Sequence, residues 1–197
     1  VNITAPAYEN HITSEDLAQS ALILSAGANL TLKLAESSTN TLIGGAGVTS
    51  TGAPGIDVPS GGKLTIQGTG KVEVTASDGY PGAPGIHLPD GAALLVQGAV
   101  ELTVKGGDYS VGYAGAGIGG NTSENGPGEA CGTVLILTTG TTTIKGGSGQ
   151  EGQSNDGNDI GGGRGTEGDG DNGTGIRRDN EEDTYTVYGN LELPMDA

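Results

Sequence analysis

The sequence predicts an all-β fold, a right-handed parallel β-helix with three strands in each coil. Three observations lead to this prediction: an internal repeat of 30 residues, three short alternating runs within each repeat, and a composition with 40 glycines but no Trp or Phe. We interpret residues 1–197 as a single domain, with a divergent first coil over 1–50 and an acidic, glycine-rich loop region over 146–183.

The repeat is clearest in the middle of the chain. The pentapeptide GAPGI at residues 52–56 recurs at 82–86, and LTIQG at 64–68 is matched by LLVQG at 94–98. Self-similarity at a fixed spacing is typical of solenoids, in which each unit buries its apolar face against its neighbours.

Looser copies flank this central pair. A third copy restarts at Gly115, and a fourth restarts at Asn158 and is expected to close through the alternating runs 184–188 and 191–193. A divergent copy begins upstream at Leu22. The repeat therefore predicts a stack of coils along most of the chain.

Each copy contains three runs in which apolar and polar residues alternate. In the best copy these runs are 56–58, 63–67 and 71–75, separated by the turn sequences PSGG at 59–62 and GTG at 68–70. Alternation predicts strands with one buried face, so three strands and three turns form one triangular coil. Coils stacked at about 4.8 Å should superpose like side chains. The expected columns are Ile56, Ile86 and Ile118 and, in the next strand, Ile66, Val96 and Ile136.

The right-handed sense follows from the crossover preference of parallel strands. Left-handed β-helices favour strict hexapeptide repeats, and this sequence has none.

Charge and cysteine content exclude several functional classes. The formal net charge is −16, from 24 acidic and 8 basic residues, which disfavours binding to nucleic acid or to anionic lipid. No apolar run approaches the roughly 18 residues of a membrane span. The single Cys131 cannot form an intramolecular disulfide and is interpreted as a small buried hydrophobe. We expect an extracellular or cell-surface protein whose signal peptide has been removed.

A candidate binding site lies in the loops after the third strand of each copy. Tyr80, Tyr109 and Tyr113 are predicted to occupy the same corner of adjacent coils, with Asp78 and Asp108 beside them. Aromatic faces stack on sugar rings and acids pair with hydroxyls, so these five residues are the candidate carbohydrate-binding set. The alternative is that the tyrosines only cover glycine-rich loop backbone.

A candidate metal site lies in the acidic stretch between residues 151 and 183. Asp156, Asp159, Asp169 and Asp171 stand among glycines, and calcium takes carboxylate and carbonyl oxygens as ligands. Neither the loop with Asp156 and Asp159 nor the loop with Asp169 and Asp171 has EF-hand spacing. Calcium is therefore the candidate cofactor. The alternative is a solvated acidic loop that binds no metal.

Catalytic constellations are weak in this sequence. His11 and His87 are the only histidines, and His87 repeats the outward position of Asp57, which predicts a surface residue. Outward carboxylates on the clear strands are limited to Asp57, Glu73 and Glu101, few for an inverting hydrolase. We therefore expect no enzyme, with a polysaccharide lyase or glycoside hydrolase as the alternative.

Two segments resemble a known family. Residues 30–42 (LTLKLAESSTNTL) and 55–68 (GIDVPSGGKLTIQG) are similar to units of secreted bacterial carbohydrate-binding right-handed β-helix proteins, within the pectate-lyase-like β-helix superfamily. The resemblance spans residues 22–147. It implies a right-handed β-helix, export to the cell surface, calcium sites and binding of an acidic polysaccharide such as polygalacturonate.

The functional prediction combines these observations. The chain is expected to be a non-catalytic, cell-surface carbohydrate-binding or adhesin-like protein, with a polysaccharide as its partner and calcium as the candidate ion. A structural stalk or spacer in a larger surface protein is the main alternative, followed by the lyase or hydrolase.

Overall fold

The computed structural model is built from β-strands throughout the residues that it describes. These residues are 2–5, 9–13, 19–45, 52–151, 155–171, 173–179 and 184–188, with side chains described for 19–45, 52–151, 155–171 and 173. Within these ranges no residue is helical, so no helix is long and apolar enough to cross a membrane.

The described residues contain seventeen strands in three sheets, which we name A, B and C. Sheet A contains β1 (Asn2–Ala5), β4 (Asn29–Leu34), β7 (Lys63–Gly68), β10 (Ala93–Gly98), β13 (Thr133–Ile136), β16 (Thr174–Asp179) and β17 (Thr184–Tyr188). Sheet B contains β2 (Glu9–Thr13), β5 (Thr39–Ile43), β8 (Lys71–Thr75), β11 (Glu101–Lys105) and β14 (Thr142–Lys145). Sheet C contains β3 (Leu22–Ile23), β6 (Ile56–Asp57), β9 (Ile86–His87), β12 (Ile118–Gly119) and β15 (Ile160–Gly161).

The chain visits the sheets in the fixed order C, A, B, so each circuit is one coil of three strands. Strands of successive coils pair in parallel, and β7 pairs with β10 over six consecutive positions from Lys63 opposite Ala93 to Gly68 opposite Gly98. The predicted three-strand parallel β-helix is confirmed. Its right-handed sense stays a prediction from the crossover preference of parallel strands.

The interior is a narrow aliphatic column. Ile86 of sheet C lies between Ile56 and Ile118, and the side chains of these three residues are fully buried. The column of sheet A, with Val96 between Ile66 and Ile136, is equally buried. Both predicted stacks are confirmed. Aliphatic side chains suffice because each coil contributes only a few inward positions.

Loop length varies while strand register does not. Gln67 and Gln97 occupy equivalent positions in neighbouring coils and are 30 residues apart in sequence. Gly98 and Thr138 also lie in neighbouring coils but are 40 residues apart. The extra residues lie in the loops 106–117 and 120–132, on either side of β12. Insertions therefore accumulate around the outer face of sheet C.

The last coil differs from its prediction. The strand that continues sheet A is β16, which pairs in parallel with β13, while β17 folds back antiparallel to β16. The run 184–188 was correctly expected to be a strand, but its expected role in a parallel coil is wrong. The run 191–193 lies outside the described residues. At the other end, β1 and β2 add strands that the repeat did not reveal.

Candidate functional site

The candidate site lies on the outer face of sheet C and in the loops that border it. Each strand of this sheet has two residues, an inward isoleucine or leucine followed by an outward residue. The outward positions of four successive coils are Asp57, His87, Gly119 and Gly161. Loops from sheet B arrive on one side, and loops to sheet A leave on the other.

Backbone hydrogen bonds hold together the bases of the loops that arrive from sheet B. Gly115 N donates to Gly107 O at 2.9 Å, and Gly147 N donates to Gly115 O at 2.8 Å. A Cβ at Gly115 would collide with the carbonyl oxygen of Ala83, so glycine is required there. These contacts at the loop bases determine the direction in which the loop tips extend.

Two of the three predicted tyrosines meet at this corner. The rings of Tyr80 and Tyr109 lie edge to face, with centroids 5.1 Å apart and planes at 81°. Tyr80 is 56% exposed, and Val111 on the same side is 66% exposed. Within the described residues, the half-buried Tyr113 makes no ring contact with this pair. We call Tyr80 and Tyr109 the tyrosine pair.

The predicted acids tie the loops of successive coils together. Asp78 Oδ1 accepts from Asp108 N at 2.8 Å, and Asp108 Oδ1 accepts from Ser148 N at 2.8 Å. Asp108 Oδ2 also pairs with Lys105 Nζ at 2.8 Å. Burial raises the pKa of Asp108, but its bonds to Lys105 and Ser148 outweigh burial and lower it overall. Both acids thus support the loops beneath the tyrosine pair.

Glu124 is a residue of this corner that sequence reasoning missed. Its Oε1 atom is buried without a hydrogen-bond partner and would lie 2.9 Å from a Cβ placed on Gly112, close to the Tyr109 ring. Burial raises the pKa of Tyr109, as do the charges of Tyr80 and Glu124. Glu124 comes from the 120–132 loop, so two loops from opposite sides of sheet C meet at the tyrosine pair.

His87 is the centre of a polar cluster on the same face, which we call the His87 cluster. Its Nδ1 lies 2.7 Å from Asp57 Oδ1, and its Nε2 lies 2.8 Å from Glu129 Oε2. The amide of Asn121 is 2.9 Å from Nε2. Burial lowers the pKa of His87, but the hydrogen bonds and charges of Asp57 and Glu129 raise it overall to about 9.

The prediction that His87 is a simple surface residue is wrong. Its side chain is only 13% exposed, because the 120–132 loop folds over it. The pairing of Asp57 with His87 could have been found, since both occupy the outward position of adjacent strands. Glu129 could not, since it comes from an insertion without a counterpart in the earlier coils.

The 120–132 loop connects the two clusters. Asn121 N donates to Glu129 Oε2 at 3.0 Å, and Thr122 Oγ1 donates to Gly82 O at 2.7 Å. At its far end, Asp90 N donates to Ala130 O at 3.1 Å. The loop therefore runs from the His87 cluster towards the tyrosine pair and is fastened on both sides of sheet C.

Cys131 ends this loop as a buried thiol. It is 2% exposed and packs into the aliphatic core, which confirms its interpretation as a small hydrophobe. Burial raises the pKa of the thiol to about 12, so the thiolate is absent at neutral pH.

The four predicted metal ligands lie in two different loops. Asp156 and Asp159 precede β15, and each accepts a backbone hydrogen bond, from Gly149 N at 2.7 Å and Gly146 N at 3.0 Å. The other two predicted ligands follow β15: Asp169 pairs with Arg164, and Asp171 accepts from Cys131 N through its backbone carbonyl. Across the described side chains, no three His, Cys, Asp or Glu residues are grouped as for a metal ion. Calcium binding by these residues stays a prediction.

Comparison of the chain with models of protein families, with curated proteins and with solved structures returned no match.

Proposed function

We propose that this protein is a non-catalytic carbohydrate-binding β-helix of the cell surface, with the tyrosine pair as its binding platform. The observation that carries the proposal is the edge-to-face contact of Tyr80 and Tyr109 at a corner where Tyr80 is 56% exposed. An exposed, fixed aromatic ring offers a large apolar face at low entropic cost. Sugar rings present C–H faces that complement it.

Polar groups around the tyrosine pair suit the hydroxyls of a sugar. Asp78 uses Oδ1 to hold the Asp108 amide, which leaves Oδ2 at an exposed loop position. Lys105 is half-exposed beside Asp108 and offers further N–H donors. A few polar groups placed around an apolar platform are the usual composition of a small-ligand site.

The carboxylates of the His87 cluster support a non-catalytic role. Asp57 and Glu129 each hold one nitrogen of His87, and the 120–132 loop covers the ring. A glycoside hydrolase needs two carboxylates free to face a substrate across the scissile bond. Here both carboxylates are occupied by the same imidazole.

A glycan array followed by calorimetry tests the proposal. Tyr80→Ala should weaken binding of an array-positive glycan by about tenfold, the loss typical of an exposed aromatic contact. Tyr80→Phe keeps the ring and should bind like the wild type, and Val111→Ala is a matched control for an exposed apolar side chain nearby. Titrations with calcium and with a chelator test whether binding depends on calcium, as the sequence predicts.

Two outcomes would count against the proposal. Silence of the wild type across neutral and acidic glycans would favour the alternative role as a stalk, which needs no ligand. Release of unsaturated products or reducing ends from a polysaccharide would instead favour the lyase or hydrolase.

A further inference from the structure

A concave surface lies at the corner where sheet A turns into sheet B, away from the tyrosine pair. It is a groove of about 530 Å³ that crosses three coils, and we call it the A–B groove. Its rim carries Lys33, Gln67 and Gln97, which occupy the same register position in β4, β7 and β10. Thr69 lies in the turn beside them.

Glycine backbone forms much of the floor of the A–B groove. Gly68 and Gly98 have φ values of 125° and 85°, which side chains other than hydrogen rarely permit. A Cβ at Gly68 would collide with the Leu34 carbonyl oxygen, and one at Gly98 would lie 2.7 Å from Gly68 O. The groove is therefore concave because these turns require glycine, and its shape is fixed by the backbone.

The two glutamines are held in place but keep free hydrogen-bonding capacity. Gln97 Nε2 donates to Gln67 Oε1 at 2.8 Å, which orients both half-buried amides. Among the described residues no other hydrogen bond engages these side chains, so Gln67 keeps its N–H donors and Gln97 its carbonyl acceptor. Donors and acceptors that are already ordered cost little entropy when a ligand binds.

The geometry points to the A–B groove as a second carbohydrate-binding site, for a neutral glycan chain that lies along the solenoid axis. The amides offer paired donors and acceptors to hydroxyls, and Leu34, Ala99 and the glycines offer an apolar floor to sugar C–H faces. Gln67 and Gln97 lie one coil apart, at about 4.8 Å, so an extended chain meets an amide at two successive steps. The choice of carbohydrate rests on the proposed function.

A neutral ligand fits the charges better than an acidic one. Among the residues that the structure describes, Lys33 is the only charged one that lines the groove, and the protein as a whole carries −16. Long-range repulsion therefore opposes a polyanion, whereas hydroxyls are recognised without regard to net charge. With one site at each of two corners, a single protein molecule can bind two glycan segments.

Affinity electrophoresis in native gels tests this inference. The gels contain hydroxyethyl cellulose, galactomannan or dextran as neutral probes and polygalacturonate as the acidic probe, all with a chelator present. The Gln67→Ala/Gln97→Ala variant should raise the apparent Kd for a neutral polymer by about tenfold, equal to about 1.4 kcal/mol. Gln150→Ala, an exposed glutamine in another loop, is the matched control and should not change it. Circular dichroism checks that each variant is folded.

Bivalency gives a second readout. The wild type should cross-link the neutral polymer and make it turbid, whereas the groove variant and Tyr80→Ala should each bind without turbidity. Unchanged retardation of the groove variant on every neutral polymer would overturn the inference, as would retardation of the wild type by polygalacturonate alone. If the groove variant loses binding of the neutral polymer and Tyr80→Ala binds it fully, the result supports the A–B groove and overturns the tyrosine pair as a platform. If Tyr80→Ala loses binding and the groove variant binds fully, only the groove is overturned.

Discussion

The charge on His87 should contribute measurably to stability, and its loss should appear at mildly alkaline pH. The folded pKa of about 9 lies above the ordinary value of 6.5. At about 1.4 kcal/mol per pKa unit, this difference corresponds to about 3 kcal/mol. Asp57 and Glu129 are 32% and 39% exposed, so solvent screening lowers the expectation to about 2 kcal/mol.

The sign of the pH dependence follows from linkage. Because folding raises the pKa of His87, its contribution is fully present below pH 6.5 and is lost as pH rises towards 9. The pKa of Glu129 is lowered, chiefly by its bond to His87, so its contribution is present above the ordinary value of 4.5 and is lost as pH falls through the lowered folded pKa. The cluster should therefore be strongest between about pH 4.5 and 6.5.

Two measurements check this expectation. Urea denaturation from pH 6 to 9.5 should show the wild type losing about 2 kcal/mol relative to His87→Gln, a variant that keeps polar atoms but cannot carry the charge. An NMR titration should place the His87 imidazole near pH 9, with His11 as the second histidine signal in the same spectrum. A His87 pKa at or below 6.5 would refute the reasoning.

Three further predictions concern the core and the loops. Ile86→Ala removes a fully buried side chain from the central column and should lower the free energy of unfolding by about 2–5 kcal/mol in urea denaturation. Ile86→Val removes only one methyl group and should lower the free energy of unfolding by about 1 kcal/mol. Gly115→Ala should destabilise the fold because its Cβ meets the Ala83 carbonyl, while Gly126→Ala, whose Cβ would meet only Ser123 Oγ at 3.5 Å, should leave the melting temperature unchanged. Cys131 should resist a thiol reagent at pH 8 and react once urea unfolds the chain; rapid reaction of the folded protein would contradict its burial.

The register of the central coils could be predicted because the sequence nearly repeats itself there. Identical apolar positions in 52–75 and 82–105 can superpose only if the strands pair in parallel at that spacing, as they do. The alternation within each run then fixes which side chains enter the column. Burial in this part of the fold is therefore encoded locally.

The far end of the stack could not be predicted in the same way. An alternating run such as 184–188 indicates a strand, but alternation carries no information about direction, and β17 runs antiparallel to β16. The strand β16 includes the sequence GIRR at 175–178, which lacks the apolar alternation of the other strands of sheet A. Direction and partner depend here on turn geometry that the repeat does not contain.

The candidate site was predictable only where it follows the repeat. Tyr80 and Tyr109 occupy comparable loops of adjacent coils, so the repeat predicted that they share a corner but not that their rings touch. Glu124 and Glu129 come from an insertion without a counterpart in the earlier coils, so no periodicity indicates where their side chains go. Tertiary folding of the 120–132 loop decides both positions.

Because β7 and β10 match one another over six paired positions, the segment that links them is an interchangeable module. Duplicating residues 63–92 in the gene would insert one more circuit of 30 residues, lengthen the rod by about 4.8 Å and leave both ends of the chain in their present surroundings. Each such duplication would also add one glutamine to the rim of the A–B groove. The length of the protein and the length of the A–B groove would thus grow together, in whole-coil increments.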